Sequence, residues 1–299
     1  MTGVQTCALP ISFGNIAHGN SSVVADLAGR KLGDYLITEA GFGSDLGMEK
    51  FMDIVCRAGG FAPSAVVIVA TAKALKHHAG LTDDPRNSTA DNLKAIEEGS
   101  ANLARHILNA KEFGVPCVVA ANRFPGDTDD EVALVQKLAL EHGAHAAVLN
   151  EGFSRGGDGA AEMAEAVADA ADRPSSFGFV YQDSDPIDVK IEKIATRIYR
   201  AEGVDFSPVA RQRIEQFTRD GLTGLSICMA KTHLSLSADP ALANAPTGYR
   251  IPVRDIRPYT GAGFLTALCG DIMQMPGLGK TPAGFNVDID KDGKTIGLF

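Results

Sequence analysis

The sequence predicts an α/β protein built on largely parallel sheets flanked by helices. Short apolar runs rich in β-branched residues alternate with longer segments of helical periodicity, which is typical of βαβ units. Each run is apolar at consecutive positions, as in strands that are covered on both faces. With 299 residues, the chain is also long enough for two ordinary domains.

Four apolar runs are predicted as parallel strands. They lie at residues 35–38 (YLIT), 65–70 (AVVIVA), 117–120 (CVVA) and 146–149 (AAVL). A further apolar run at residues 225–230 leads into Lys231 and Thr232. Near the end of the chain, Asp292 and Gly293 predict the turn of a terminal hairpin, because this pair favours a tight turn between two strands.

Helical periodicity predicts helices between and after these runs. They lie at residues 87–114, 128–143, 158–171 and 187–201. In the second of them, Thr128 and Glu131 have the spacing of a capping box, and Gly143 ends the apolar pattern. Gly114 ends the first in the same way.

Composition and charge argue against several classes of protein. A net charge of -9 argues against a nucleic-acid partner, since duplex binding depends on Lys and Arg that neutralise phosphates. The five cysteines are widely spaced without a C-x-x-C pair, which favours a reducing, cytoplasmic location over disulfides. No apolar run reaches the roughly 18–20 residues needed to cross a bilayer, so no membrane association is expected.

Three sequence motifs resemble known ligand sites and fail on spacing. The two Gly-Lys-Thr triplets at residues 279–281 and 293–295 lack the upstream glycine of a phosphate-binding loop, since Gln274 and Asp288 occupy its positions. The aspartates from residue 288 resemble an EF-hand, but Phe299 stands where a glutamate is needed. The histidines show no metal-ligand spacing, so no metal site is predicted.

Aromatic and polar residues follow three of the apolar runs, at the positions where ligands bind in open α/β sheets. These loops read EAGFGSD at residues 39–45, NRFP at residues 122–125 and NEGF at residues 150–153. Phe42, Phe124 and Phe153 are predicted either to stack on a planar ring or to fill the core as ordinary apolar residues. Residues 155–159 (RGGDG) open a helix, so they are predicted either to bind an anion through free amides or to form a flexible turn.

Several strings, taken in order, resemble the formate–tetrahydrofolate ligase family. They are NIAHG from residue 15, TEAGFGSDLG from residue 38, GVP from residue 114, NRFP from residue 122, MAKT from residue 229, MPGL from residue 275 and the final GLF. The resemblance implies a fold similar to P-loop nucleotide-binding α/β proteins, here without its N-terminal half. It implies that formate is joined to tetrahydrofolate with MgATP, through formyl phosphate, giving 10-formyltetrahydrofolate, ADP and phosphate in a homotetramer.

The resemblance also implies roles for particular residues. Phe124 with Pro125 matches one wall of the folate site, and Phe153 stands where family members often place a tryptophan as the opposite wall. The residues that match the nucleotide and formyl phosphate region are Glu39, Gly41, Phe42, Gly43, Asn15 and His18. No residue is assigned a catalytic role.

The same resemblance divides the chain into three parts. Residues 1–11 are expected to be a leader outside the family, interpreted as an artefact of assembly or cloning, with a native tail as the alternative. Residues 12–110 are expected to form the C-terminal part of the nucleotide-binding domain, and residues 111–299 a second α/β domain with the folate-stacking loops and the terminal hairpin. Lacking the phosphate-binding loop, the chain is expected to be inactive alone; the alternative is a stand-alone, non-catalytic folate- or nucleotide-binding module.

Overall fold

The computed structural model describes residues 18–82, 87–270, 287–291 and 295–296. Its first sheet contains three parallel strands in the order β1-β2-β3, namely β1 (Val66–Ala70), β2 (Cys117–Asn122) and β3 (Ala146–Asn150). Three of the four predicted parallel strands are therefore confirmed. The register pairs Ala70 with Ala121 and Asn122 with Asn150, so the carboxyl ends of the strands lie together at one edge of the sheet.

The prediction of a strand at residues 35–38 is wrong. This segment is not paired with any strand in the described ranges, and Tyr35 and Ile37 are 59% and 89% exposed. The run has the composition of a buried strand. However, a strand also needs a neighbour that accepts and donates its backbone hydrogen bonds, and the described part of the chain supplies none.

The second sheet is mixed and has the order β4-β6-β7-β5. Its strands are β4 (Val204–Phe206), β5 (Ser226–Ala230), β6 (Ile251–Tyr259) and β7 (Phe264–Cys269). Only the β6–β7 pair is antiparallel. Two short strands, β8 (Asp288–Ile289) and β9 (Thr295–Ile296), pair antiparallel in the arrangement of the predicted hairpin, whose turn residues Asp292 and Gly293 lie outside the described residues.

Helices surround both sheets. The α-helices are α1 (Val23–Leu32), α3 (Ala72–His78), α4 (Thr89–Glu112), α5 (Asp129–Glu141), α6 (Gly152–Arg155), α7 (Ala161–Ala171), α8 (Ile187–Arg197) and α9 (Pro208–Arg219). The helical segment α2 spans residues 43–59 and is π-helical at Gly43–Met48 and Phe51–Val55. The capping box at α5 is confirmed, since the Thr128 hydroxyl accepts the Glu131 amide and the Glu131 carboxylate accepts the Thr128 amide.

One continuous core links the elements on the two sides of residue 110. It runs from Phe51 on α2 through Ile107 on α4 and Val119 on β2 to Ile191 on α8 and Leu265 on β7. The predicted domain boundary lies in the last turn of α4, and β1 pairs with β2 across it. Residues 12–110 and 111–299 therefore share one sheet in this structure.

Candidate functional site

The three aromatic side chains singled out in the sequence are exposed. Phe42 is 69% exposed, Phe124 48% and Phe153 99%. None of them fills the core, so the alternative role as an ordinary apolar core residue is excluded for all three. Exposed aromatic rings on loops present flat apolar faces to solvent, which is the property a ring-stacking site requires.

Phe124 lies on the loop that follows β2, and Phe153 lies on α6, the one-turn helix that follows the adjacent strand β3. Side-chain and backbone hydrogen bonds join the two loops: Asn150 Nδ2 donates to Asn122 Oδ1 at 2.8 Å, and the Arg123 amide donates to the Asn150 carbonyl at 3.2 Å. Because β2 and β3 are paired up to these residues, the two aromatic loops leave the same edge of the sheet from neighbouring positions.

Charged side chains hold the base of these loops. Arg123 lies between two carboxylates, with Nη2 at 2.6 Å from Asp129 Oδ1 and Nη1 at 3.6 Å from Glu151 Oε1. Glu151 also pairs with Arg155 at 2.9 Å. Next to Arg123, the Phe124 amide donates to Asp127 Oδ2 at 2.8 Å, and Pro125 follows as an exposed residue. The aromatic rings are thus carried by loops whose backbones are fixed by polar contacts.

The loop containing Phe42 is positioned by the close approach of three glycines. The Gly41 amide donates to the His18 carbonyl at 3.0 Å. A Cβ at Gly19 would lie 1.9 Å from the Gly41 nitrogen, and a Cβ at Gly47 would lie 2.0 Å from the Gly41 oxygen. Only glycine leaves room for this packing, because any side chain at Gly19 or Gly47 would overlap the loop backbone.

Of the remaining residues predicted for the nucleotide and formyl phosphate region, some lie on the Phe42 loop and others do not. Glu39 and Gly43 are exposed on the same loop as Phe42, and Gly43 begins α2 at a φ of 70°. The His18 ring packs against Phe264, with 5.5 Å between ring centroids, and burial together with Lys50 lowers its pKa to about 4. Asn15 lies outside the described residues.

A buried ion pair lies directly behind the Phe42 loop. Lys231 Nζ is 2.7 Å from Asp45 Oδ2, and both side chains are almost completely buried. Burial would raise the pKa of Asp45, but Lys231 and His106 outweigh that effect and lower it. The ammonium also donates to the carbonyls of Thr232 and Ser235, so the pair ties α2 to the segment that follows β5.

Sequence reasoning missed the histidines near this pair. His106 Nδ1 is 2.6 Å from Ser44 Oγ and accepts the Ser44 amide at 3.3 Å, although the two residues are 62 positions apart. His78, on α3, accepts the Asn244 amide through Nδ1 at 3.3 Å. Contacts between residues so far apart in the chain have no local sequence pattern.

The glycine-rich segment 155–159 forms a turn of 3-10 helix at Gly156–Ala160 before α7. Its geometry is set by Gly156, at a φ of 61°, and by the bond from the Glu151 amide to the Gly159 carbonyl at 2.9 Å. Within the described ranges, His, Cys, Asp and Glu side chains form no group of three or more that could hold a metal ion. No helix there is both long and apolar enough to cross a membrane.

The sequence of the chain matches a family of known proteins. The family model described as formate–tetrahydrofolate ligase matches residues 8–299. A formate–tetrahydrofolate ligase of Desulforamulus reducens is 54% identical over 99% of the chain, and one of Symbiobacterium thermophilum is 50% identical over 96%. The Staphylococcus aureus protein of the same name is 48% identical over 96%.

The matched region is only part of the length of each relative. The chain covers 53%, 51% and 51% of those three proteins, so it spans about half the length of the curated relatives it matches. The family match itself covers nearly the whole chain. The chain belongs to the formate–tetrahydrofolate ligase family.

Proposed function

We propose that this chain carries the folate side of a formate–tetrahydrofolate ligase. The complete enzyme joins formate to tetrahydrofolate at the expense of MgATP, through formyl phosphate, and releases 10-formyltetrahydrofolate, ADP and phosphate. Within it, Phe124, Pro125 and Phe153 form the walls against which the folate ring stacks. The loop with Glu39, Gly41, Phe42 and Gly43 lines the nucleotide and formyl phosphate region, with His18 packed behind its backbone and Asn15 assigned there by resemblance.

The observation that carries the proposal is the exposure of the aromatic rings at one edge of the sheet. Phe153 is 99% exposed and Phe124 is 48% exposed, on loops joined by the Asn150–Asn122 hydrogen bond. An aromatic side chain that nothing covers adds almost nothing to the stability of the fold, and it gains hydrophobic free energy when a ligand or partner covers it. The pyrimidinone ring of tetrahydrofolate is planar and has a π-face on each side, so stacking between two such walls suits it.

The sequence has no Gly-x-x-x-x-Gly-Lys-Ser/Thr loop that would bind the phosphates of ATP. Transfer of a phosphoryl group depends on a loop of backbone amides and a lysine that hold the phosphates, with Mg²⁺ neutralising their charge. Neither Gly-Lys-Thr triplet has the glycine that this loop requires. We therefore place the phosphate-binding loop in polypeptide equivalent to the half of the relatives that the chain does not match, and expect the chain alone to be inactive.

A second candidate function is a stand-alone folate- or nucleotide-binding module without catalysis. The observation in its favour is the continuous core, which joins the elements on both sides of residue 110 without help from further polypeptide. This candidate has the same folate site as the first. It differs because it needs no further polypeptide to function. The same resemblance implies a homotetramer, which belongs to the first candidate.

The experiment is to titrate the purified chain with tetrahydrofolate under anaerobic conditions and then add MgATP and formate. We expect saturable folate binding and no formation of ADP or 10-formyltetrahydrofolate. Absence of folate binding would contradict the first candidate and would leave the second only as a nucleotide-binding module. Turnover by the chain alone would contradict the placement of the phosphate site.

A further inference from the structure

The Phe153 ring is held in place only through its backbone. Its side chain is 99% exposed, so packing does not fix its direction. It lies on α6, a single helical turn of four residues, and a turn this short is not stable by itself in water. The N-cap residue of this turn, Glu151, makes no side-chain capping bond. The position of the ring therefore depends on the other groups that hold the start of α6.

Asn150, the last residue of β3, holds the first amide of α6. Its Oδ1 accepts the Gly152 amide at 3.1 Å. An amide N–H can only donate, so the atom that faces Gly152 is the oxygen, and the Asn150 side chain has a single orientation. Its Nδ2 then faces Asn122, whose Oδ1 accepts it at 2.8 Å. Hydrogen bonds thus fix both ends of the Asn150 amide group.

The backbone of Asn150 makes a third contact, to the loop that carries Phe124. Its carbonyl accepts the Arg123 amide at 3.2 Å. Arg123 directly precedes Phe124 in the chain. Gly152 likewise directly precedes Phe153. Asn150 therefore holds the residue in front of each aromatic wall.

A second link between the two segments is longer and partly exposed. Arg123 Nη1 lies 3.6 Å from Glu151 Oε1, and the Arg123 side chain is 30% exposed and also pairs with Asp129. Such ion pairs hold a geometry weakly, because water screens the charges and long side chains stay mobile. The Asn150 contacts lie instead at the paired ends of two strands, where Asn122 and Asn150 are in register. They are the stronger constraint on the two segments.

We propose that Asn150 is a positioning residue that sets the separation of the two aromatic walls before folate binds. It acts through its bonds to Asn122 and Gly152. The inference rests on the proposed function and adds the residues that place Phe124 and Phe153. Carbon atoms pack best at about 3.5–4 Å, and a gap of about 1 Å on one side of a ring loses up to half of that contact energy. Walls that are held in advance also avoid the entropy cost of ordering them on binding.

Asn122 is the residue to vary, because its replacement removes the bond between the strands and keeps the Asn150 contact with Gly152. Tetrahydrofolate is titrated into the full chain under anaerobic conditions. We expect Asn122→Ala to bind it about threefold to tenfold more weakly, the range that the loss of one aromatic stack allows. Asn122→Asp keeps an oxygen that accepts Asn150 Nδ2, so its affinity should stay within about twofold of the wild type.

Gln136→Ala is the matched control. Gln136 Nε2 donates to the Ala147 carbonyl at 3.2 Å, so this variant also removes one side-chain bond to β3 but leaves the contacts of Asn150 in place. It should lower the melting temperature and leave folate affinity unchanged. Amide hydrogen exchange without folate gives a second readout, since the Arg123 and Gly152 amides should exchange faster in Asn122→Ala and not in Gln136→Ala.

A double-mutant cycle with Phe153→Ala separates positioning from direct contact with the ligand. If Asn122 acts through the placement of Phe153, Asn122→Ala should cost less than about twofold further affinity in the Phe153→Ala background. The same loss as in the wild type would mean that Asn122 acts independently, and it would overturn the inference. Unchanged affinity in Asn122→Ala, or Asn122→Asp binding as weakly as Asn122→Ala, would also overturn it. In each of these cases the wild-type chain still binds tetrahydrofolate and the proposed function stands, whereas a wild-type chain that does not bind it would contradict both.

Discussion

At the scale of single residues, the proposed folate site depends on aromatic side chains that contribute to binding and not to stability. Phe153 contacts almost nothing in the folded chain, so its removal should leave the free energy of unfolding unchanged. We predict that Phe153→Ala and Phe124→Ala each weaken tetrahydrofolate binding about threefold to tenfold, since one aromatic stack is worth about 0.5–1.5 kcal/mol. Fluorescence titration and thermal unfolding of each variant measure the two effects.

Tyr35→Ala is the matched control for this prediction, because Tyr35 is an exposed aromatic residue outside the site. It should change neither folate affinity nor the melting temperature. A loss of stability in Phe153→Ala with normal folate binding would show that the ring is structural.

Glu49 provides a pH-dependent prediction. Its side chain is completely buried and neither carboxylate oxygen has a hydrogen-bond partner among the described residues. Burial, reinforced by the nearby Asp53, raises the pKa of Glu49 well above its usual value. The folded protein therefore binds one more proton than the unfolded chain once the pH exceeds about 4.3, so stability falls as the pH rises from there towards the folded pKa.

We predict that Glu49→Gln has little effect on unfolding near pH 4 and stabilises the chain by roughly 1–3 kcal/mol at pH 8, the usual cost of an unmatched buried polar group. Chemical denaturation at both pH values measures this difference. Glu98→Gln, at an exposed position on α4, should be neutral at both. Destabilisation of Glu49→Gln at pH 8 would mean that the carboxylate is charged and has a partner.

At the scale of elements, much of the fold was predictable because the signals are local. Consecutive apolar residues predicted β1, β2 and β3, and Thr128 with Glu131 predicted the start of α5. The segment at residues 35–38 shows the limit, since its composition predicts a strand but pairing depends on a neighbour elsewhere. The contacts of His106 with Ser44 and of His78 with Asn244 could not be predicted either, because these residues come together only in the tertiary structure.

The packing of the Phe42 loop against α2 yields a prediction at this scale. In Gly47→Ala the new Cβ would lie 2.0 Å from the Gly41 oxygen, so the loop has to move. We expect a loss of about 1–3 kcal/mol of stability, as for other overpacked sites. Gly224→Ala, where a Cβ has no atom within 4 Å, is the control and should cost less than about 0.5 kcal/mol.

At the scale of the whole molecule, the edge strand β1 is open to solvent on one face. Val67 and Val69 on β1 are 40% and 63% exposed, whereas Val118 on β2 and Val148 on β3, on the same face of the sheet, are buried. Parallel sheets are normally covered on both faces, so Val67 and Val69 predict that further polypeptide packs here. The relatives contain about as much chain again as this one, and we propose that the equivalent polypeptide covers β1.

A charge on this face should block that packing without unfolding the chain. We predict that Val69→Asp keeps the melting temperature and folate affinity of the wild type but fails to associate with the missing half. Ile289→Asp, at an exposed position on β8, should associate normally. Association of Val69→Asp at the wild-type level would place the contact elsewhere.

The central claim is that the active site is divided between this chain and polypeptide equivalent to the other half of its relatives. The most direct measurement mixes the chain with the separately produced segment of the Desulforamulus reducens ligase that the chain does not match. ADP and 10-formyltetrahydrofolate are then followed with MgATP, formate and tetrahydrofolate present. We expect no turnover by either part alone and turnover by the mixture, which Phe124→Ala reduces. Turnover by this chain alone at the rate of the complete relative would contradict a divided active site.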